Sequence, residues 1–315
     1  MITRREVVLG GLAAGVMMRA PHVLAKAAQP STPISFDVPP GACDCHTHIH
    51  TRQFPFFEGR VYTPEMAMPE EMAALHKALR IQRVVVVQPS VYGTDNRATL
   101  FGMAARGNDA RGVAVIDDKT PDSELDAMHK AGIRGVRLNL ATGGSPDPAI
   151  GRKRFEGALP RVQSRNWHIQ IYTNLAMISA LKPVVLASPV PVVFDHFGGA
   201  QAALGVQQPG FSDLLELVKA GKAYVKISGG YRASKLPDYS DLPPLASALI
   251  SANPERIVWG TDWPHPNSVG GSTTSVTPLS QIDDGKLFNQ LAVWAPDANT
   301  RKKILVDNPA RLYAF

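Results

Sequence analysis

The chain has 315 residues, of which 44% are apolar and 19% charged, and this composition suits one globular unit with a large core. The net charge of +6 comes without a basic run interleaved with aromatic side chains, so we expect no nucleic-acid partner. A modest positive balance suits a small anionic substrate. The two cysteines, Cys43 and Cys45, are too close in sequence for a comfortable disulfide and are predicted to be buried thiols.

The first residues have the pattern of an export signal. Arg4 and Arg5 form a motif similar to the twin-arginine type, and the apolar run Val7–Met18 follows it. This run is shorter than the about 20 residues that span a bilayer, so we expect no stable membrane insertion. Cleavage after Ala27 would deliver the mature chain to the periplasm. The alternative is an uncleaved amphipathic N-terminus on a cytoplasmic enzyme.

Residues 1–27 are therefore predicted to be a signal peptide, residues 28–41 a linker rich in Pro, Ser and Thr, and residues 42–315 the folded domain. In that domain, short β-branched runs alternate with longer amphipathic stretches. The strand-like runs are Ala42–Ile49, Arg83–Pro89, Gly112–Ile116, Gly135–Leu140, His168–Tyr172, Pro191–Phe194, Ala223–Ile227 and Arg256–Gly260. Helical patterns include Pro69–Leu79, Ser123–Ala131, Phe211–Ala220 and Leu242–Ala252.

Eight strands alternating with helices predict an α/β fold, a single (β/α)8 TIM barrel. An open doubly wound sheet is the runner-up. It would carry a glycine-rich turn after the first strand, and Cys43–His50 contains no glycine. We expect a monomer or a small homo-oligomer.

In such barrels the chemistry lies where the strands end. Along the first strand Asp44, His46 and His48 alternate, so all three are expected to face the barrel axis. Paired imidazoles can hold a divalent metal or act as hydrogen-bond donors, although two ordinary polar residues would give the same pattern. Asp262 ends the last strand, which lies beside the first in a closed barrel. A carboxylate near two histidines suits a general base that activates water.

Three segments around these residues resemble the amidohydrolase superfamily: Asp44–His48, Val193–Gly198 and Trp259–His265. The chain is more specifically similar to the 2-pyrone-4,6-dicarboxylate lactonase group over residues 42–315. The motifs that carry this second similarity are Tyr62–Pro64, Gln88–Asn96, Gly135–Arg137 and Ser228–Arg232.

The resemblance implies hydrolysis of a cyclic ester without an obligatory metal. It makes Asp262 the base for the attacking water, and His46, His48 and His196 the groups that stabilise the carbonyl oxygen. Arg137 and Arg232 would bind a substrate carboxylate. Neutral hydrogen bonds would come from Tyr62, Ser90, Thr94 and Tyr172. From the residues alone, Ser90 and Tyr172 could equally be packing residues, and Arg232 a surface ion pair.

Two positions depart from the patterns of related enzymes. The second arginine of the lactonase group falls on Gly143, so a monocarboxylated or sugar-acid lactone is expected rather than the pyrone dicarboxylate. Metal-dependent relatives present a histidine at the end of strand five, whereas His168 stands at the start of that strand. We therefore expect no required cofactor, although a single divalent metal is possible, with His196 able to complete a distorted site.

Three other functions are compatible with the same residues. A lactone isomerase of the galactarolactone type would use a substrate hydroxyl in place of water. A metal-dependent decarboxylase of the superfamily would need one tightly bound ion. A periplasmic binding protein would have kept the barrel and lost catalysis.

Overall fold

The computed structural model describes residues 27–142, 147–268 and 271–315. Nearly all of the predicted export signal, and Gly143, lie outside the described residues. Eight parallel strands form one sheet in chain order. These strands are β1 Cys43–Thr47, β2 Arg83–Val87, β3 Ala110–Ala114, β4 Ile133–Asn139, β5 His168–Tyr172, β6 Val192–Phe194, β7 Ala223–Ser228 and β8 Ile257–Gly260. The predicted TIM barrel is confirmed.

At least one helix follows each strand of the barrel. The α-helices are α1 Pro69–Leu79, α2 Arg97–Ala104, α3 Asp122–Lys130, α4 Pro148–Gln163, α5 Leu175–Ala187, α6 Phe211–Lys219, α7 Gly230–Ala233, α8 Pro243–Ala252, α9 Asp284–Trp294, α10 Ala298–Lys302 and α11 Asn308–Tyr313. Two short strands, Thr63–Pro64 and Val276–Thr277, pair in parallel outside the barrel. Among the described helices, none has the length and hydropathy needed to cross a membrane.

The seam between β1 and β8 closes the barrel. The amide of Asp262 donates to the His46 carbonyl at 2.9 Å, and the amide of His48 donates to the Trp263 carbonyl at 2.8 Å. Fully buried Asp44 spans the same seam: one carboxylate oxygen accepts from the Thr261 amide at 3.0 Å, and the other accepts from the Thr261 hydroxyl at 2.6 Å. The last strand is thereby held directly against the first.

The expected direction of Asp44 is wrong. Its second oxygen lies 3.2 Å from His76 Nε2 on α1, so the side chain faces the helical layer and not the barrel axis. The pairing register of β1 with β2 shifts between Asp44 and Thr47. This irregularity breaks the simple alternation of strand faces, and Cys45 as well as His46 therefore points into the barrel.

Two of the three hydrophobic clusters in the described part of the chain contain residues of the barrel strands. The larger lies between the strands and the helices and includes Val84, Phe194 and Trp259. The smaller fills the barrel interior near its amino-terminal end. Cys43 and Cys45 are free and buried within it, which confirms the prediction of buried thiols.

The segment predicted as a linker lies against α9. The hydroxyls of Ser31 and Thr32 donate to the Asp283 carboxylate at 2.7 and 2.6 Å. The ring of Phe36 packs edge-on against Phe288, with 4.9 Å between centroids. Residues 28–41 are thus bound to the barrel surface through both polar and apolar contacts.

His168 lies at the amino-terminal end of the barrel, as its position in the strand predicts. Its ring contacts Tyr313, with 5.2 Å between centroids. The same ring fills the space where Gly135 lacks a side chain, since a Cβ there would lie 2.4 Å from it. Burial lowers the pKa of His168 from 6.5 to about 3, so the folded protein keeps this ring neutral when the unfolded chain protonates it.

We expect His168→Phe to weaken the pH dependence of stability. In the wild type, this histidine's contribution to stability is complete above pH 6.5 and is lost progressively as the pH falls toward 3. Below the unfolded pKa, the slope of unfolding free energy against pH should be shallower in the variant by about 1.4 kcal/mol per pH unit. Urea unfolding between pH 6 and 4.5 measures the slope, and unfolding at pH 8 isolates the packing change. An unchanged slope would contradict a neutral His168.

Candidate active site

Asp262 stands at the centre of the residues that follow the strand ends. Its carboxylate oxygen Oδ1 lies 3.7 Å from His46 Nε2, 3.6 Å from His48 Nε2 and 3.7 Å from His196 Nε2. All four side chains are almost entirely buried. The structure therefore brings together the four residues predicted as catalytic, and three ring nitrogens converge on one oxygen.

The other carboxylate oxygen of Asp262 is occupied. Oδ2 accepts a hydrogen bond from the Tyr231 hydroxyl at 2.6 Å and another from Arg232 Nε. Burial acts to raise the pKa of Asp262, but the Arg232 guanidinium and the His196 imidazole hold that pKa well below its usual range. The carboxylate is thus ionised, and Oδ1 has no hydrogen-bond partner within the described residues.

The turn after β7 explains how Tyr231 and Arg232 reach this carboxylate. Gly229 has a φ of +56°, and a Cβ there would lie 3.0 Å from His196 Nδ1 and 3.2 Å from Asp262 Oδ2. A side chain at this position would meet both strain and collision. Glycine lets β7 end directly beside the site, and α7 begins at the next residue. Arg232 is consequently a site residue and not a surface ion pair.

The three histidines are neutral because they are buried. Burial lowers the pKa of His46 well below 6.5, lowers that of His48, and lowers that of His196 to about 4. His48 Nδ1 lies 2.7 Å from the Val87 carbonyl, which can only accept, so this nitrogen carries the proton. The neutral His48 ring therefore presents a bare Nε2 to the site, which differs from the donor role that the resemblance implies.

These donors fit a divalent metal by type and spacing. The ligand atoms of His46, His48 and Asp262 lie within 4.8 Å of one another, as do those of His46, Asp195 and His196. Imidazole nitrogen and carboxylate oxygen are ligands of zinc and its neighbours. Asp262 Oδ1 and His46 Nε2 are also buried without a hydrogen-bond partner in the described parts of the chain.

A buried polar layer beneath the histidines was absent from the predicted site. Lys226 Nζ donates to Gln170 Oε1 at 2.7 Å, and Gln170 Nε2 donates to Asp195 Oδ2 at 3.1 Å. Lys226, Gln170 and Asp195 are all fully buried. The sequence signal was a lysine in the otherwise apolar run Ala223–Ile227, with the even spacing from Tyr224 that places it inside the barrel. Asp195 immediately precedes His196.

Five of the six predicted substrate-binding residues line a pocket of about 20 Å³ around Asp262. They are Tyr62, Ser90, Arg137, Tyr172 and Arg232. Arg137 is buried, and its guanidinium lies 3.4 Å from Asp195 Oδ2 and 3.4 Å from the Gln88 carbonyl. Thr94 is not brought into the site. It is exposed, and its carbonyl accepts a hydrogen bond from Asn96.

A larger cavity of about 440 Å³ adjoins this pocket. The two spaces share Tyr172, His196, Arg232, Pro266 and Ser268. The cavity's other lining residues include the polar side chains of Thr173, Asn174, Gln201, Lys235, Asn267 and Ser280. The cavity therefore adjoins the surroundings of Asp262 on the side of β5 to β7.

The chain is similar to three curated lactone enzymes over nearly its whole length. It is 35% identical to 4-sulfomuconolactone hydrolase of Rhizobium radiobacter, covering 90% of this chain and 93% of the relative. It is 34% identical to 2-pyrone-4,6-dicarboxylate hydrolase of Comamonas testosteroni, covering 91% and 94%. It is 30% identical to D-galactarolactone isomerase of Agrobacterium fabrum, covering 87% and 91%.

The fold agrees with a solved structure of the same group. A probable 2-pyrone-4,6-dicarboxylic acid hydrolase from Acinetobacter baumannii, with citric acid bound, superposes with a TM-score of 0.74 at 27% identity, over 87% of this chain and all of that one. The profile of the amidohydrolase family matches residues 43–315. The chain therefore belongs to the amidohydrolase family, and it resembles the lactonases within it.

Proposed function

We propose that this protein is an enzyme that hydrolyses a small carboxylated lactone. The observation that carries the proposal is the environment of Asp262: an ionised carboxylate whose Oδ2 is held by Tyr231 and Arg232 and whose Oδ1 faces three histidines. The surrounding pocket measures about 20 Å³, and a cavity of roughly 10–15 Å³ is enough for one water molecule. The similarity to lactone hydrolases supports the same chemistry.

The reaction follows from these contacts. A water molecule between Asp262 Oδ1 and the bare His48 Nε2 would attack the lactone carbonyl carbon while Asp262 takes its proton. His46 and His196, whose Nε2 atoms also lie near Oδ1, would stabilise the charge that grows on the carbonyl oxygen. When the ring C–O bond breaks, protonated Asp262 returns the proton to the leaving oxygen, which gives an open-chain hydroxy acid.

The low pKa of Asp262 makes it a weak base, so the neighbouring groups must also lower the barrier to attack by water. His48 can orient the water through its lone pair, and the stabilised carbonyl lowers the barrier to attack. We propose that no metal is required. A divalent metal held by His46, His48 and Asp262 would polarise the carbonyl and acidify the water.

The lining groups indicate the substrate class. Arg137 is a buried cation beside this pocket, and its hydrogen bonds to Asp195 and Gln88 use Nε and Nη1, which leaves Nη2 to bind a carboxylate. The adjoining cavity offers amides and hydroxyls, which suit a hydroxylated substituent. Lys235 lines this cavity and forms no ion pair within the described part of the chain. A sugar-acid lactone with a polar, acidic substituent fits this arrangement.

Export to the periplasm also stays a proposal, because the twin-arginine-like motif at Arg4 and Arg5 lies outside the described residues. A fusion of residues 1–27 to a reporter protein, with and without both arginines changed to lysine, would test it. Accumulation of the reporter in the cytoplasm in both cases would contradict export.

Hydrolysis and isomerisation are separated by the source of the new oxygen. We expect wild-type enzyme in ¹⁸O-water to place one labelled oxygen in each product molecule, in the carboxylate formed from the lactone carbonyl, and mass spectrometry detects it. Asp262→Asn should lower kcat by at least about 1,000-fold, because the base and its charge are both removed. The exposed Asp37→Asn is the matched control and should keep wild-type activity.

An unlabelled product would replace hydrolysis with isomerisation, in which a substrate hydroxyl attacks. Wild-type activity in Asp262→Asn would contradict the assignment of the base. Loss of activity on chelation, with recovery on addition of a single metal, would contradict a metal-free reaction.

Lys235→Met tests the direction in which the substrate extends. We expect KM to rise roughly threefold to fivefold for lactones with an acidic substituent, since an exposed ion pair contributes up to about 1 kcal/mol. The kcat, and the KM for uncharged lactones, should not change. Lys219→Met on α6 is the control, because Lys219 is exposed and lines neither space. An equal effect on charged and uncharged lactones would exclude this contact.

A further inference from the structure

Lys226 is the fully buried cation nearest to the reacting groups, and the reaction described above does not use it. It lies on β7 inside the barrel, and Nζ makes a 2.7 Å hydrogen bond to Gln170 Oε1. The same Nζ lies 3.3 Å from His46 Nδ1, in hydrogen-bond geometry, and 3.5 Å from Asp195 Oδ1. Lys226 Nζ is therefore surrounded by three atoms that can each accept a hydrogen bond or compensate its charge.

The contact with His46 determines which ring nitrogen carries the proton. In its ion pair with Asp195, Lys226 is an ammonium group, which can only donate, so His46 Nδ1 accepts in this hydrogen bond. A neutral imidazole that accepts at Nδ1 carries its proton at Nε2. Nε2 is the nitrogen that points into the site, 3.7 Å from Asp262 Oδ1. An N–H at this nitrogen is attracted to that carboxylate oxygen.

Asp195 competes for the same nitrogen. Its Oδ1 lies 3.3 Å from His46 Nδ1 and would accept a proton placed there, which would leave Nε2 bare. However, Asp195 Oδ1 has no partner in hydrogen-bond geometry among the described residues. Asp195 also faces two cations, Lys226 at 3.5 Å and Arg137 at 3.4 Å, so its charge is compensated without the imidazole.

We propose that Lys226 is a positioning residue that holds His46 in the Nε2–H form. In this form His46 donates to the lactone carbonyl oxygen, whereas His48, fixed by the Val87 carbonyl, accepts. The two histidines of one strand thereby take opposite roles. The same bond disfavours a metal, because coordination through Nε2 would move the proton to Nδ1, toward the ammonium group. The catalytic use of this proton rests on the proposed function, but the tautomer itself does not.

The tautomer can be measured in the resting protein. Two-bond ¹H–¹⁵N correlation spectra of ¹⁵N-histidine-labelled protein distinguish the Nε2–H form from the Nδ1–H form. His46→Gln identifies the signal among the nine histidines. We expect the Nε2–H pattern for His46 and the Nδ1–H pattern for His48. An Nδ1–H pattern at His46 in the wild type would overturn the proposal, whether or not any variant folds.

Lys226→Met and Asp195→Asn are the informative pair of variants. Lys226→Met removes the donor, so His46 should change to the Nδ1–H form. The kcat should fall about 100-fold, as for loss of one donor that stabilises the carbonyl oxygen. The affinity for zinc should rise at least about tenfold. In Asp195→Asn the competing carboxylate is removed while Lys226 remains beside Nδ1, so His46 should keep the Nε2–H form. If Asp195→Asn changed the His46 tautomer and Lys226→Met did not, Asp195 would be the residue that sets the tautomer.

The readouts also separate this proposal from the proposed function. If the wild type shows the expected tautomer but opens no lactone, the positioning role of Lys226 stands and the function fails. If lactones are hydrolysed while Lys226→Met leaves the tautomer, the zinc affinity and kcat unchanged, the positioning role fails alone. A Lys226 that only stabilises the barrel would lower the melting temperature on substitution without moving the tautomer.

Discussion

The seam between β1 and β8 is the constraint on which the site depends. Two backbone hydrogen bonds join His46 and His48 to Asp262 and Trp263, so the proposed base Asp262 and the histidine pair belong to one hydrogen-bonded unit. Asp44 reinforces this unit from outside through Thr261 and His76. A change in the seam would move Asp262 relative to both histidines, and a carboxylate displaced by even about 1 Å can lose a large part of its catalytic effect.

The second requirement is charge compensation in a space without bulk water. Asp262 and Asp195 are both buried, and each is stabilised by cations: Arg232 for the first, Lys226 and Arg137 for the second. Without these partners, burial would favour the protonated carboxyl groups, and Asp262 would no longer be a base. The cations permit neutral histidines beside ionised carboxylates, which is the combination that the proposed hydrolysis requires.

The strands and the strand-end residues could be predicted because apolar alternation and barrel geometry leave few solutions. His46, His48, His196 and Asp262 converge as expected. The direction of Asp44 could not be predicted, since a register shift inside one strand has no signature in the side-chain pattern. Tyr231 and Lys226 were missed for another reason. Each acts by holding a neighbour, and such contacts depend on the three-dimensional arrangement of several strands and turns.

His46 Nδ1 has two partners of opposite character at the same distance, an ammonium group and a carboxylate oxygen, each at 3.3 Å. The ammonium group favours a proton on Nε2, and the carboxylate favours a bare Nε2. The first arrangement gives a hydrogen-bond donor for a carbonyl oxygen, and the second gives a metal ligand. One constellation of histidines and aspartate can therefore serve either chemistry, and in the proposed mechanism buried groups that do not touch the substrate make the difference. The identity of residue 226 then bears on the reaction as directly as the identities of His46, His48, His196 and Asp262.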